Sequence, residues 1–297
     1  MPILHAIVLG IVQGLSEFLP ISSSGHLRLV PWIMGWHDFP RGSNLEQSFD
    51  VSLHLGTLVG AVAYFWGDLV RLARGGLSTL RPRRRANAEG TTTSTGVRPA
   101  PGPEAPYGDE GRLAWLLLLS AVPAAILGAL LSDSLDDLAQ HEWLIGVLLV
   151  VFGGVLLWAD RLGGARTADT YSRRDAVVMG AAQCLALAPG VSRSGATITA
   201  GRWLGLDRDA AARMSFLMSL PIIAGAVVFS GAKLLKDGMP HGMAPAFAWG
   251  IIASGITGYA AVWGTLRLLR TRTFTPFVVY RVLIGTGVVI VAASSFR

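Results

Sequence analysis

Charge is what this chain of 297 residues has least of: Asp, Glu, Lys and Arg make up 15% of it, against about 25% in an ordinary soluble domain. Set beside 52% hydrophobic residues and a mean hydropathy of +0.50, that scarcity argues against a water-soluble globule and for an integral membrane protein. Cysteine is nearly absent too. Cys184 is the single one, which excludes an intramolecular disulfide framework or a cysteine-rich metal centre; within its apolar segment it reads as a small packing residue. No basic leader followed by an A-x-A site opens the sequence, so no cleavable signal is expected. P-loop, HExxH, EF-hand and dinucleotide fingerprints are all missing. The net charge of +6 is confined to a few loops. It therefore speaks of topology and anionic membrane lipids before nucleic acid, for which no partner role is expected.

What the chain does have is long apolar runs. Six segments, 49–69, 113–131, 143–158, 214–235, 246–268 and 277–293, approach the roughly 20 residues a membrane helix needs. Two other stretches, 3–36 and 175–206, are broken at Pro20 and at Pro189-Gly190. Each half is too short to cross a core of roughly 30 Å. Arg173 and Arg174 flank the second stretch on one side, and Arg202, Arg208 and Arg213 border or follow its end. By the positive-inside rule both flanks are cytoplasmic, so the segment should dip in and return, and the first stretch should do the same. The basic loop 161–174 and the arginines at 267, 270 and 272 belong inside, and the acidic loop SDSLDDLAQHE outside. Counting spans puts both termini outside. Residues 72–111, with RPRRR and TTTSTGVRPAPGPEAP, read as a disordered cytoplasmic linker. Trp32, Trp36, Trp66, Trp143, Trp158 and Trp263 sit mostly near segment ends, as an aromatic belt would.

The two broken stretches are versions of one another. HAIVLGIVQGLSEFLPISSSGHL, starting at His5, overlays DAVVMGAAQCLALAPGVSRSGATI, starting at Asp175. The shift that carries Ala6 onto Ala176 also carries Gln13 onto Gln183, Ser22 onto Ser192, Ser24 onto Ser194 and Gly25 onto Gly195. A weaker echo, SFDVSL at Ser48 against SFLMSL at Ser215, extends the match. Three full spans separate the copies, an odd number, so they should run in opposite directions. The expected fold is an all-α membrane protein: one integral domain over 1–297, with an inverted-topology repeat of six spans and two re-entrant helical hairpins meeting near the midplane. Repeat one covers 1–160 and repeat two covers 175–297.

The copies differ where chemistry would sit. Glu17 faces Leu187, Ser23 faces Arg193, and His26 faces Ala196. Gln13 and Glu17 are four apart and share one helix face. Serines before a helix are ordinary caps, but here Ser22, Ser23 and Ser24 precede one helix while Ser192 and Ser194 flank Arg193 before the other. Helix N-termini that converge attract phosphate, and an arginine adds a two-pronged partner for its oxygens. Ser22, Ser24, Gly25, Ser192, Ser194, Gly195 and Thr197 are thus the candidate phosphate-binding residues. Arg193 inside an apolar hairpin costs at least about 2.5 kcal/mol unless paired or hydrated. A bare Glu17–Arg193 pair would account for it, yet would leave the serines and His26 without a purpose. Asp50 and His54 form another polar pair four apart, for which capping and hydration are equally good reasons. Gln13, Gln183 and Asp50 are taken as supporting residues.

At EFLPISSSGH, PGVSRSGAT and FDVSLHLGTL the chain resembles the undecaprenyl-diphosphate phosphatases of the bacitracin-resistance type, over nearly its whole length. The resemblance implies an inner-membrane hydrolase that removes one phosphate from undecaprenyl diphosphate, regenerates the lipid carrier for peptidoglycan, and lowers bacitracin sensitivity, with an active site open to the outer face. Carried over by position, the family's catalytic glutamate, serine, histidine and arginine fall on Glu17, Ser23, His26 and Arg193. Members with a second acidic residue at the place of Gln13 have two carboxylates for a divalent cation. This chain has one, so a Mg or Ca cofactor would have Glu17 alone as its carboxylate ligand. Ser23 as nucleophile, with Glu17 or His26 as base, competes with His26 as nucleophile and Ser23 as phosphate ligand. A transporter of polyprenyl phosphate is the alternative function, since broken helices in inverted repeats are its usual build. A homo-oligomer is compatible with either.

Overall fold

The computed structural model describes residues 1–40, 43–80, 109–130, 141–237 and 242–294. Among them are eleven α-helices, one short 3-10 turn at Ala168–Thr170 and no strand. The helices are α1 (Ile3–Phe18), α2 (Ser23–Met34), α3 (Asn44–Tyr64), α4 (Trp66–Leu80), α5 (Glu110–Leu130), α6 (Glu142–Arg161), α7 (Arg173–Leu185), α8 (Arg193–Trp203), α9 (Arg208–Asp237), α10 (Ala244–Leu269) and α11 (Thr275–Ala293). Five of them, α5, α6, α9, α10 and α11, are long and apolar enough to cross a membrane, and the bent pair α3–α4 makes a sixth if counted as one span. The chain is an all-α membrane protein.

The first long segment corrects the sequence reading. Instead of one span over 49–69, the chain bends by 81° after α3 and continues as α4. Phe65 at the corner is fully buried, and the Arg213 guanidinium lies 5.8 Å from its ring centroid. Asp68 accepts hydrogen bonds from Arg71 and from Arg213, which ties α4 to α9. Residues 72–80, expected in a disordered linker, are instead helix packed on α5, with Leu72 and Gly76 buried. The low hydropathy of RLARGGLSTL conceals a one-sided apolar face. Residues 110 and 111 likewise belong to α5. The rest of that linker, 81–108, and residues 131–140 of the acidic loop lie outside the described residues.

Small residues set how closely the helices approach, as expected where lipid removes the hydrophobic drive between helices and packing must hold them. Helix α10 is wedged between α1 and α3. A Cβ at Gly10 would lie 2.5 Å from the Gly250 carbonyl oxygen, and one at Gly56 would lie 1.9 Å from Ser254 Oγ. Ser254 Oγ in turn donates to the Leu53 carbonyl at 2.8 Å. In this way one polar bond and two bare faces bring α1 and α3 together across α10.

Both broken stretches form helix pairs with the same turn. Ser22 and Ser192 cap α2 and α8 at φ 78° and 74°, and each hydroxyl accepts the N–H three residues on, from Gly25 at 3.3 Å and Gly195 at 3.1 Å. Left-handed backbone at a non-glycine residue costs of order 1–3 kcal/mol and persists only when its surroundings hold it. They do. Ser22 Oγ also accepts the Gly190 N–H at 3.1 Å, joining one turn to the other. Arg281 of α11, with 0% exposure, completes the join. Its Nη1 donates to Pro20 O at 3.0 Å, its Nη2 to Gly190 O at 2.8 Å and Val191 O at 3.1 Å, and its Nε to Leu149 O at 3.0 Å. On the loop between α6 and α7, Arg166 grips Asp175 with bonds of 3.0 and 2.7 Å, and these bonds raise the pKa of its guanidinium.

Candidate active site

Glu17 lies on the last turn of α1, one turn beyond Gln13. Pro20 then stops the helix, because its ring and missing N–H cannot continue the ladder. The chain reverses and starts α2 at Ser23, whose hydroxyl returns to the end of α1 and donates to Glu17 Oε2 at 2.6 Å. Gln13 Nε2 donates to the same oxygen at 2.9 Å. From α8, Arg193 Nη2 donates to Glu17 Oε1 at 2.7 Å. From α3, His54 Nε2 stands 3.5 Å from Oε2. Four helices thus converge on one carboxylate that is only 5% exposed.

The arrangement leaves donor and acceptor capacity in reserve. Arg193 Nη1 and Gln13 Oε1 are buried without a hydrogen-bond partner among the described residues. An arginine that spends one prong on a carboxylate and holds the other ready suits a phosphate oxygen. Ser23 Oγ–H, already bonded to a carboxylate oxygen, meets the requirement that a serine nucleophile have a base within about 2.6–3.2 Å. Cation ligands are a poorer match: no group of three or more His, Cys, Asp or Glu side chains able to hold a metal occurs among the described residues. Both oxygens of Glu17 are already bonded, so the protein donors do not fit a resident cation.

Of the candidates named from sequence, the structure brings together Gln13, Glu17, Ser23 and Arg193. His26 is elsewhere. Its Nδ1 donates to the Ser22 carbonyl at 2.7 Å, which leaves Nε2 to accept the Tyr280 hydroxyl at 2.8 Å, and it makes no hydrogen bond to Glu17 or Ser23 among the described residues. Ser22 and Ser192 are buried caps. Ser194 Oγ donates to the Leu19 carbonyl at 3.0 Å, and Thr197 Oγ1 donates to the Arg193 carbonyl at 2.8 Å and meets Ser215 Oγ at 2.6 Å. The amides of Gly25 and Gly195 serve the caps, and Ser24 is exposed. Gln183, the counterpart of Gln13, donates to the Ser120 carbonyl at 2.9 Å. Asp50 lines a cavity of about 60 Å³ with Arg28 and Glu46, away from Glu17.

Sequence reasoning left out Tyr280 and Arg281 and set His54 aside as half of a weak pair. A lone arginine inside the run 277–293 was a usable signal, since an ionisable residue in a span is a functional or structural anchor by default. Nothing local marks Tyr280 as the partner of His26 or His54 as the partner of Glu17, because each pair is more than thirty positions apart.

Residues 6–287 match the family model described as "Bacitracin resistance protein BacA". Relatives named "Undecaprenyl-diphosphatase" include one from Pelobacter propionicus, 44% identical with 97% of each chain covered. Another, from Nocardioides sp., is 41% identical over 98% of this chain and 97% of its own, and one from Geobacter sulfurreducens is 43% identical over 97% of each. With a match that spans both helix pairs and every residue around Glu17, the chain belongs to the bacitracin resistance protein BacA family.

Proposed function

We infer that this protein is an undecaprenyl-diphosphate phosphatase, hydrolysing undecaprenyl diphosphate to undecaprenyl phosphate and inorganic phosphate and so recycling the lipid carrier of peptidoglycan synthesis. The observation that carries this reading is the Ser23 hydroxyl 2.6 Å from Glu17 Oε2, with Arg193 at 2.7 Å on the other oxygen, in a chain related over its full length to proteins of that name.

Ser23 Oγ bonds to the terminal phosphorus while the bridging P–O bond breaks, and its electron pair leaves on undecaprenyl phosphate. The hydroxyl proton passes to Glu17 Oε2. Water then attacks the phosphoserine, the Oγ–P bond breaks, Ser23 regains a proton, and inorganic phosphate departs. Arg193 neutralises charge on the transferring oxygens beside the buried Glu17, where such interactions are stronger than at the surface. The geometry favours Ser23 over His26 as nucleophile, because both imidazole nitrogens already have partners.

The inverted repeat is part of the same reading. The packing of α1 on α10 has its counterpart in α7 on α5, and that of α3 on α10 in α9 on α5, as a pseudo-twofold axis requires. With α1–α2 and α7–α8 as re-entrant hairpins, both termini and the mouth of the site face outward and the basic loops lie in the cytoplasm.

Phosphate release from undecaprenyl diphosphate by purified protein tests the reading. Ser23→Ala and Glu17→Gln should each lose about 10²–10⁴-fold in kcat, and Arg193→Lys, which keeps the charge but not the fork, should lose at least about tenfold. Wild-type protein that binds the lipid through Arg193 but releases no phosphate would move the assignment to a polyprenyl-phosphate transporter.

A further inference from the structure

The sequence motif pointed to His26 as the histidine of the reaction, but the imidazole that stands against the catalytic carboxylate belongs to His54. We propose that His54 is the proton acceptor behind Glu17, a positioning and relay residue that takes the Ser23 proton on from Glu17 and returns it to water; this rests on the phosphatase reading above.

Three observations carry it. First, His54 Nδ1 lies 2.8 Å from the Asp50 carbonyl oxygen. A carbonyl only accepts, so Nδ1 carries the hydrogen and the neutral ring keeps its lone pair on Nε2. Second, Nε2 faces Glu17 Oε2 at 3.5 Å, the same oxygen that accepts the Ser23 hydroxyl at 2.6 Å. Such a contact is long for a hydrogen bond, and catalytic hydrogen bonds in free enzymes often tighten when substrate binds. Third, the His54 side chain is 27% exposed while that of Glu17 is 4% exposed, so a proton passed to His54 stands nearer the protein surface than one on Glu17. His26 offers none of this: its Nε2 is occupied by Tyr280.

As the Ser23 Oγ–P bond forms, the Oγ proton moves to Glu17 Oε2, then to His54 Nε2, and Glu17 returns to carboxylate beside Arg193. The imidazolium releases its proton to water before the next cycle. The charged groups coupled to His54 are Glu17 on α1 and Asp50 on α3; Arg193 acts on Glu17, and Arg28 and Glu46 act on Asp50; α10, packed between α1 and α3, has no charged side chain from Ala246 to Leu266. Turnover therefore requires a free lone pair on His54 Nε2, which the Nδ1 bond to the Asp50 carbonyl provides.

The experiment is the steady-state kinetics of phosphate release by full-length wild type, His54→Gln and His54→Ala in detergent, each checked for an unchanged unfolding midpoint. Glutamine at 54 keeps a polar side chain of similar reach, but its amide cannot take a proton. The expected result is a kcat lower by about 10–100-fold in His54→Gln with KM within about twofold. Added imidazole should restore turnover to His54→Ala. A kcat unchanged in His54→Gln, or a folded His54→Ala that imidazole does not restore, overturns the assignment. Absence of phosphate release by the wild type overturns the phosphatase reading first and this relay with it.

Discussion

Ser22 shows how one side chain can be structural in a motif that reads as catalytic. Its hydroxyl accepts from two backbone N–H groups, Gly25 at 3.3 Å and Gly190 at 3.1 Å, and it is 1% exposed. Ser22→Ala leaves both donors buried without a partner while keeping the left-handed backbone. A buried unsatisfied group costs about 1–3 kcal/mol, so thermal unfolding in detergent should show a destabilisation of at least that size. Residual turnover of the folded fraction should stay near wild type. A matching fall in kcat with stability intact would instead make Ser22 a phosphate ligand. Ser23, the next residue, is the converse: its hydroxyl serves Glu17 rather than a cap, and only the geometry separates the two neighbours.

Helix contacts decide whether the site assembles at all. His54 lies two positions before Gly56 on α3, and Glu17 lies three after Gly14 on α1, while both glycines press on α10. Gly56→Leu would place atoms where Ser254 Oγ and the Ile251 carbonyl oxygen, 1.9 and 2.2 Å from an ideal Cβ, already stand. The penalty should exceed the roughly 1–3 kcal/mol usual for overpacking, with the surviving protein losing kcat as α3 moves away. Gly287→Ala, on α11 with nothing within 4 Å of the added carbon, is the control, and should shift stability by no more than about 1 kcal/mol, upward if at all. Equal effects of the two substitutions would show that close helix approach is not what holds α3. Much of this level was readable: the breaks at Pro20 and Pro189-Gly190 and the apolar runs placed nearly every helix. The bend at Phe65 was not, because an 81° turn set by a buried ring and two ion pairs to Asp68 has no local composition to announce it.

Across the whole molecule, topology is the quantity most open to test. With Cys184→Ser as background, a single cysteine at Ser294 should react with a membrane-impermeant thiol reagent on intact cells. One at Thr170, in the exposed loop before α7, should react only after the membrane is opened. The reverse pattern would turn the molecule over and put the site on the cytoplasmic side. Arg281 is the other global feature. It binds carbonyl oxygens from both hairpin turns and from α6, so two halves of the chain that are distant in sequence share one buried cation.

The membrane class, the duplicated broken helices and the pairing of Glu17 and Ser23 with an arginine from the second copy were decided by sequence alone, because hydropathy, proline breaks and a register-true repeat are local properties of the chain. Tertiary structure alone decided which histidine meets the carboxylate, which serines are caps, and how the two turns are joined. Those outcomes depend on helix approach distances and on where long side chains end, and such distances arise only when α10 is packed between α1 and α3 and Arg281 reaches both hairpin turns.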